Sequence, residues 1–139
     1  MVTKAYSPFV WDNRYATGIE IIDSQHKRLF GLTNQMLQAA AENAKNSVLA
    51  ELLAQIEEYA STHFSHEESI MEWAGYKNLA EHREQHGLLR EELDYFAAEL
   101  EKGALTPHEL AEFMQSWLAK HIIHEDMKYL PAVKKKQNA

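Results

Sequence analysis

The chain has 139 residues, of which 45% are hydrophobic, enough for one domain with a single buried core. Only 5 glycines and 3 prolines are present, which favours helices over a turn-rich β architecture. A net charge of −7 argues against a nucleic-acid partner, and the absence of cysteine excludes disulfides and thiolate metal sites, so any metal must be held by nitrogen and oxygen ligands.

No stretch of the sequence approaches the roughly 18 consecutive apolar residues of a membrane span, and the N-terminal MVTKAYSPFVWDN lacks the apolar segment of a secretory signal. These features predict a cytoplasmic protein with no membrane span, while the oligomeric state stays open. The only basic run, KKK at 134–136, is followed by QNA. We expect one helical domain over 1–133 and a solvated polar, basic tail over 134–139.

Caps and apolar spacing predict four helices. A loop-like N-terminal arm precedes a first helix over about 23–43, and a second helix runs from about 46 to Gly75, a residue suited to a left-handed C-terminal cap. The third helix follows Asn78, with apolar residues and histidines in steps of three and four. TPHE at 106–109 predicts the start of a fourth helix that ends near Pro131, with Thr106 as the N-cap. Four helices with short connections predict an all-α, antiparallel up-down-up-down four-helix bundle.

Each predicted inner face contains a histidine where a leucine would pack better. These five residues are His26, His63, His82, His86 and His121. A single histidine in such a position is usually a core residue with a hydrogen-bond partner, but a bundle interior brings five of them together. A buried imidazole without a partner costs roughly 1 to 3 kcal/mol, and a metal ion that accepts the ring lone pairs removes this cost. The pattern therefore predicts a metal site, with His82 and His86 binding one ion from a single helical face.

Glu67 extends this prediction to two metals. It follows His63 by four residues, and a carboxylate among buried histidines is costly unless it also binds a cation. The alternative is a surface glutamate at the edge of the helix face. Five imidazoles exceed the ligands of a typical single zinc site, whereas two ions bridged by carboxylates would use them. Histidine and carboxylate ligands suit iron, manganese or zinc, and oxygen chemistry favours iron.

A second acidic ligand is expected from the fourth helix. At about 100° per residue, Glu125 shares the face of His121, whereas Asp126 is turned about 140° away, so helical geometry favours Glu125. His66 and His124 each lie three residues beyond an inward-facing histidine, about 60° off its direction, and are interpreted as flanking or exposed residues. His108, in the first turn of its helix, is interpreted as a surface residue.

Together these segments resemble the hemerythrin family in its bacterial single-domain form. The matching motifs are DSQHK, HFSHE, HREQH and HIIHED, in the family's order and over essentially the whole chain. The resemblance implies a non-haem centre of two iron ions with a bridging oxo or hydroxo group, which binds O₂ reversibly. It implies His82, His86 and His121 on one iron, His26 and His63 on the other, and Glu67 and Asp126 as bridges. Asp126 thereby replaces Glu125, and a π-bulge would accommodate the five-residue step.

Counting ligands for this arrangement leaves one position open, on the iron with two histidines, and we expect O₂ to bind there. The oxidised centre is expected to bind anions such as azide. The walls of the O₂ pocket are predicted from residues next to the ligands, namely Leu29, Phe64, Trp117 and Leu118. Their alternative role is ordinary core packing.

The expected function is reversible O₂ carriage, storage or delivery, without catalysis, because no general acid or base is evident near the centre. A ferritin-like di-iron enzyme would use Glu-x-x-His motifs, and no histidine of this chain has a glutamate three residues before it. The alternatives left open are an oxygen or redox sensing module and an enzyme that scavenges peroxide or nitric oxide. A metal-free helix bundle is the remaining structural alternative.

Overall fold

Helices make up all regular structure in the computed structural model over the residues it describes, which are residue 8 and residues 10–139. The described part of the N-terminal arm contains a short 3-10 helix, Asn13–Tyr15. The main helices are α1 (Glu20–Ala41), α2 (Asn46–Ala74), α3 (Leu79–Glu101) and α4 (Pro107–Lys120). A π-helical turn (His121–Glu125), a 3-10 turn (Asp126–Tyr129) and α5 (Leu130–Gln137) follow α4 without leaving the right-handed helical region. The predicted all-α four-helix bundle is confirmed.

Packing between neighbouring helices arranges the bundle. Helix α1 packs against α2 and α4, and α2 packs against α3 and α5. Apolar side chains from all four long helices fill the centre, among them Leu32, Met36, Leu53, Leu93, Leu100 and Leu110. None of the helices formed by the described residues combines the length and the apolar character that crossing a membrane requires.

Local signals set most helix boundaries where they were predicted. Gly75 ends α2 with a left-handed backbone (φ 68°), a conformation that glycine adopts without steric cost. Thr106 caps α4 by accepting a hydrogen bond from the Glu109 backbone N–H (3.2 Å). The predicted start of α1 was late, because Asp23 lies inside the first turn. Its carboxylate accepts hydrogen bonds from the Thr17 and Gly18 backbone and holds the arm against the helix.

The predicted end of the fourth helix near Pro131 is wrong. Pro131 is the second residue of α5, and the preceding 3-10 turn changes the hydrogen-bond register, so its missing N–H interrupts nothing. Val133 is buried beyond it and packs in a small cluster with Met71 and Tyr129. The helix continues to Gln137, and the three lysines at 134–136 are exposed on it.

Candidate metal centre

Seven buried side chains from all four long helical segments converge in the bundle interior. None exposes more than 6% of its surface: His26, His63, Glu67, His82, His86, His121 and Asp126. Their nitrogen and oxygen atoms form two groups, each with its atoms within 4.8 Å of one another. The first group contains three histidines and the second contains two, and Glu67 and Asp126 belong to both. We call these the three-histidine group (His82, His86, His121) and the two-histidine group (His26, His63).

Helical periodicity places most of these side chains. His63 and Glu67 lie four residues apart on α2, and His82 and His86 lie four residues apart on α3, so each pair projects from one helical face. His26 faces them from α1.

The π-helical turn decides which acid of the fourth segment enters the cluster. The backbone N–H of Asp126 bonds to the carbonyl of His121, five residues earlier, which widens the helix by one residue. Asp126 is completely buried as a result, whereas Glu125 stays near the surface and pairs with Lys128 (3.1 Å). The choice of Glu125 from regular α-helical geometry differs from this placement, because that geometry does not include the extra residue.

The two carboxylates each direct one oxygen towards each group. In the three-histidine group, Glu67 Oε1 lies 3.2 Å from His82 Nε2 and 3.0 Å from His86 Nε2. Asp126 Oδ1 lies 3.1 Å from His82 Nε2 and 2.9 Å from His121 Nε2. This division of the oxygens is the arrangement that two bridging carboxylates would have.

The second oxygens face the two-histidine group. Asp126 Oδ2 lies 3.0 Å from His26 Nε2, and Glu67 Oε2 lies 3.7 Å from His26 Nε2 and 3.6 Å from His63 Nε2. The Nε2 atoms of His26 and His63 are 3.1 Å apart. Five ring nitrogens therefore point at four carboxylate oxygens in two adjacent sets.

The contacts in the cluster fit metal coordination better than hydrogen bonding. Within the described part of the chain, the buried atoms that lack a partner with hydrogen-bond geometry include His86 Nε2, His121 Nε2 and both oxygens of Asp126. Ligand atoms about 2.1 Å from one octahedral ion and at right angles to each other lie about 3 Å apart. The separations of 2.9 to 3.2 Å in the three-histidine group agree with this value. The donor set therefore fits a pair of metal ions.

Electrostatics also favours cations at this position. Burial acts to raise the pKa of Glu67, but contacts with four histidines hold that pKa well below its usual range. Burial and the nearby Glu67 act to raise the pKa of Asp126, and its histidine contacts lower it instead. Burial opposes the charged form of His26 and His82, yet Asp126 and Glu67 raise the pKa of both to about 9. Two ionised carboxylates in the interior attract protons or metal ions.

Several outer partners hold the cluster, and sequence reasoning did not identify them. The His63 Nδ1–H donates to Gln25 Oε1 (2.7 Å), and the His86 Nδ1–H donates to Glu68 Oε2 (2.8 Å). Such contacts orient the rings of metal-binding histidines. Gln25 and Glu68 directly adjoin His26 and Glu67 in the chain, and this adjacency is the signal that could have identified them.

Tyr129 was also missed. Its hydroxyl donates to Glu67 Oε2 (3.0 Å), and the side chain is fully buried. Burial, followed by the nearby carboxylates of Glu67 and Asp126, raises the pKa of Tyr129 far above its usual value, so the phenol stays protonated and acts as a donor. A buried tyrosine usually has a hydrogen-bond partner, which was the available signal.

Two of the four predicted pocket residues, Phe64 and Trp117, contact histidine rings of the cluster. Leu29, Phe64 and Leu118 are buried in the main apolar core. Phe64 stacks on the His86 ring (centroids 3.9 Å apart, planes at 12°) and lies 5.8 Å from the His63 ring. Trp117 is partly buried and stacks on His121 (4.5 Å, 10°). Trp117 thus lies on the three-histidine side, away from the expected position on the two-histidine side.

The remaining histidines lie outside the cluster. His108 pairs with Glu112 on the surface of α4 (2.9 Å), and His124 is exposed. His66 is exposed, but its Nδ1 accepts a hydrogen bond from Gln25 Nε2 (2.6 Å). The interpretation of these residues as flanking or surface side chains agrees with their placement, except that His66 also contacts the partner of a cluster histidine.

Comparison with known proteins gives matches to hemerythrins by family model, by sequence and by structure. The hemerythrin HHE cation binding domain matches residues 17–133. A bacteriohemerythrin of Pseudomonas paraeruginosa is 32% identical over 125 residues, which cover 90% of this chain and 81% of that protein. Myohemerythrin-1 of Phascolopsis gouldii is 29% identical over 122 residues, which cover 88% and 92% of the two chains. The crystal structure of a wild-type hemerythrin has a TM-score of 0.84 at 26% identity and covers 91% of this chain and 98% of that one.

Proposed function

The chain belongs to the hemerythrin family, and from this premise we propose that it binds O₂ reversibly at a carboxylate-bridged pair of iron ions. In this proposal the three-histidine group holds one iron, the two-histidine group holds the other, and Glu67 and Asp126 bridge them. The observation that carries the proposal is the division of the four carboxylate oxygens between the two histidine groups.

Iron is the metal that gives this donor set an oxygen-binding role. Held by the two histidine groups and the two carboxylates, a pair of ferrous ions would supply the two electrons that reversible O₂ binding uses. Neutral imidazoles with two carboxylates suit iron, manganese and zinc by ligand type, and only the first two can change oxidation state. Reversible O₂ binding therefore requires iron or manganese here, and we assign iron from the family.

The protein's own side chains provide a setting for binding without catalysis. Phe64, Leu118 and Ile122 belong to the buried apolar core beside the cluster and would keep water from it. Tyr129 holds the Glu67 oxygen that faces the two-histidine group. With its pKa raised by burial, this phenol stays protonated and acts as a hydrogen-bond donor. We assign an oxygen carrier, store or delivery protein, in preference to an enzyme, from the family.

The test is anaerobic reconstitution of the full chain with ferrous iron, followed by iron analysis and by visible spectra as O₂ is admitted and removed. We expect two irons per chain and a colour that appears with O₂ and disappears when O₂ is withdrawn. Glu125→Gln is the matched control, because this surface carboxylate adjoins Asp126 and should leave the result unchanged. The proposal would be contradicted if the colour of the iron-loaded protein bleached irreversibly after O₂ was admitted. It would also be contradicted if the chain bound a single zinc and took up no iron. Consumption of added peroxide would indicate the scavenging enzyme instead.

A further inference from the structure

The outer nitrogens of two cluster histidines have chemically different partners. His86 Nδ1–H donates to the carboxylate of Glu68, whereas His63 Nδ1–H donates to the neutral side-chain amide of Gln25. Gln25 exposes only 8% of its surface. A carboxylate partner increases the electron-donating strength of an imidazole, and a neutral carbonyl does so less. His63 is therefore expected to be a weaker ligand than His86, so the two histidine groups differ in this ligand as well as in the number of their histidines.

His66 fixes the orientation of the Gln25 amide. The amide nitrogen donates to His66 Nδ1 (2.6 Å) while the amide oxygen accepts from His63 Nδ1–H (2.7 Å). This chain of hydrogen bonds gives the two rings opposite tautomers, because an amide oxygen only accepts and an amide nitrogen only donates. His63 carries its proton on Nδ1, and neutral His66 carries its proton on Nε2.

The tautomer of His63 matters because of what its other nitrogen faces. With the proton on Nδ1, the lone pair of His63 Nε2 points into the cluster, where that atom lies 3.1 Å from His26 Nε2 and 3.6 Å from Glu67 Oε2. If the Gln25 amide turned over, its nitrogen would face His63 Nδ1, and the ring proton would have to move to Nε2. A protonated Nε2 cannot bind a metal.

We propose that Gln25, oriented by His66, is the positioning residue that keeps His63 ready to bind metal and, as a neutral partner, makes the two-histidine group the weaker of the two metal-binding groups. This inference rests on the metal binding proposed above and does not depend on O₂ binding. It also assigns a role to His66, which lies outside the cluster and is linked to His63 through the Gln25 amide.

The test uses zinc, because Zn²⁺ is diamagnetic and permits NMR of the full chain. Competition with a chelator gives two zinc dissociation constants, the smaller for a stronger binding step and the larger for a weaker one. The ¹⁵N spectra of the imidazole rings report which ring nitrogen carries the proton. We expect Gln25→Leu to weaken the weaker zinc step by about 10- to 100-fold while the stronger step stays within about threefold. The matched variant Glu68→Leu should instead weaken the stronger step, because Glu68 contacts His86.

A conservative variant separates positioning from packing. Gln25→Glu keeps the shape of the side chain but replaces the amide with a carboxylate, which only accepts hydrogen bonds. We expect this variant to strengthen the weaker zinc step by about tenfold and to move the His66 ring proton from Nε2 to Nδ1. Circular dichroism confirms that each variant keeps its helices before the constants are compared.

Two outcomes would overturn the inference. One is a Gln25→Leu protein with unchanged zinc constants and an unchanged His63 tautomer, and the other is an equal loss at both steps. Failure of the proposed function is distinguishable from both. If the unmodified chain bound no zinc or iron, metal binding itself would be rejected, and the ring tautomers of that same chain would still show whether Gln25 sets the protonation of His63.

Discussion

At the scale of single residues, Asp126 and Glu125 are neighbours with opposite surroundings. Asp126 has no exposed surface and approaches three histidine nitrogens, whereas Glu125 pairs with Lys128 near the surface. We expect Asp126→Asn to reduce the iron content from two per chain to one or fewer, because an amide offers one neutral oxygen in place of two charged ones. Glu125→Gln should retain both irons. Iron analysis after reconstitution makes the comparison, and equal iron contents in the two variants would contradict the bridging assignment.

Leu118 is the apolar residue with which the pocket prediction is best tested. It lies three residues before His121 and is 4% exposed. Leu118→Ala should lower the free energy of unfolding by about 2 to 5 kcal/mol, as is usual for a buried leucine. In folded, iron-loaded protein, the shortened side chain should admit water and anions. We therefore expect faster autoxidation of the oxygenated protein and a higher rate of azide binding to the oxidised protein. Leu37→Ala is the control, because Leu37 is equally buried and lies eleven residues beyond His26 on α1. Equal azide rates in the two variants would assign Leu118 to packing alone.

At the scale of helices, regular periodicity predicted most of the site and failed at one turn. The four-residue steps from His63 to Glu67 and from His82 to His86 follow from an ordinary α-helix, and the structure preserves them. The step from His121 to Asp126 requires a π-helical turn, whose single extra residue has no clear signature in side-chain chemistry. Helical spacing alone therefore selected Glu125, and only the family resemblance indicated Asp126.

Helical periodicity could not predict which side chains on different helices contact one another. Gln25 on α1 meets His63 and His66 on α2, and Tyr129 meets Glu67 across the bundle. These contacts depend on how far each helix is rotated and shifted against its neighbour, and the sequence of one helix does not specify either quantity. The end of the fourth helix was missed for a local reason, because proline is tolerated in the first turn that follows a change of hydrogen-bond register.

The continuation of the fourth helix beyond Pro131 gives a test at this scale. Val133 is 3% exposed and packs with Met71 and Tyr129, whereas Lys134 is exposed. We expect Val133→Ala to lower the free energy of unfolding by roughly 1 to 2 kcal/mol, from the loss of two buried methyl groups. Lys134→Ala should change it by less than about 0.5 kcal/mol. Urea unfolding measures the free energy for both variants. An unchanged free energy of unfolding in Val133→Ala would show that the end of α5 does not pack in solution.

At the scale of the whole molecule, the candidate metal centre contacts two apolar clusters. Phe64, which stacks on His86, belongs to the main core, and Tyr129, which bonds to Glu67, belongs to the smaller cluster with Met71 and Val133. The main core joins buried apolar side chains of α1, α2, α3 and α4. Folding of the helices is therefore supported by apolar packing on its own, and the buried polar centre adds a separate term that depends on metal.

Metal removal should consequently weaken the bundle without abolishing it. In metal-free protein the Nε2 atoms of His86 and His121 and both carboxylate oxygens of Asp126 are buried without partners in hydrogen-bond geometry, which is an unfavourable arrangement for polar atoms. Metal that binds only the folded chain stabilises it by about 2.7 kcal/mol when its free concentration is 100 times the dissociation constant. For a chain of this size we expect the melting temperature to fall by roughly 10 °C when a chelator removes the metal, while helical circular dichroism at 20 °C is largely retained. The control is Asp126→Asn, in which the chelator should have a much smaller effect. Equal melting temperatures for metal-loaded and metal-free protein would show that the metal contributes nothing to the stability of this fold.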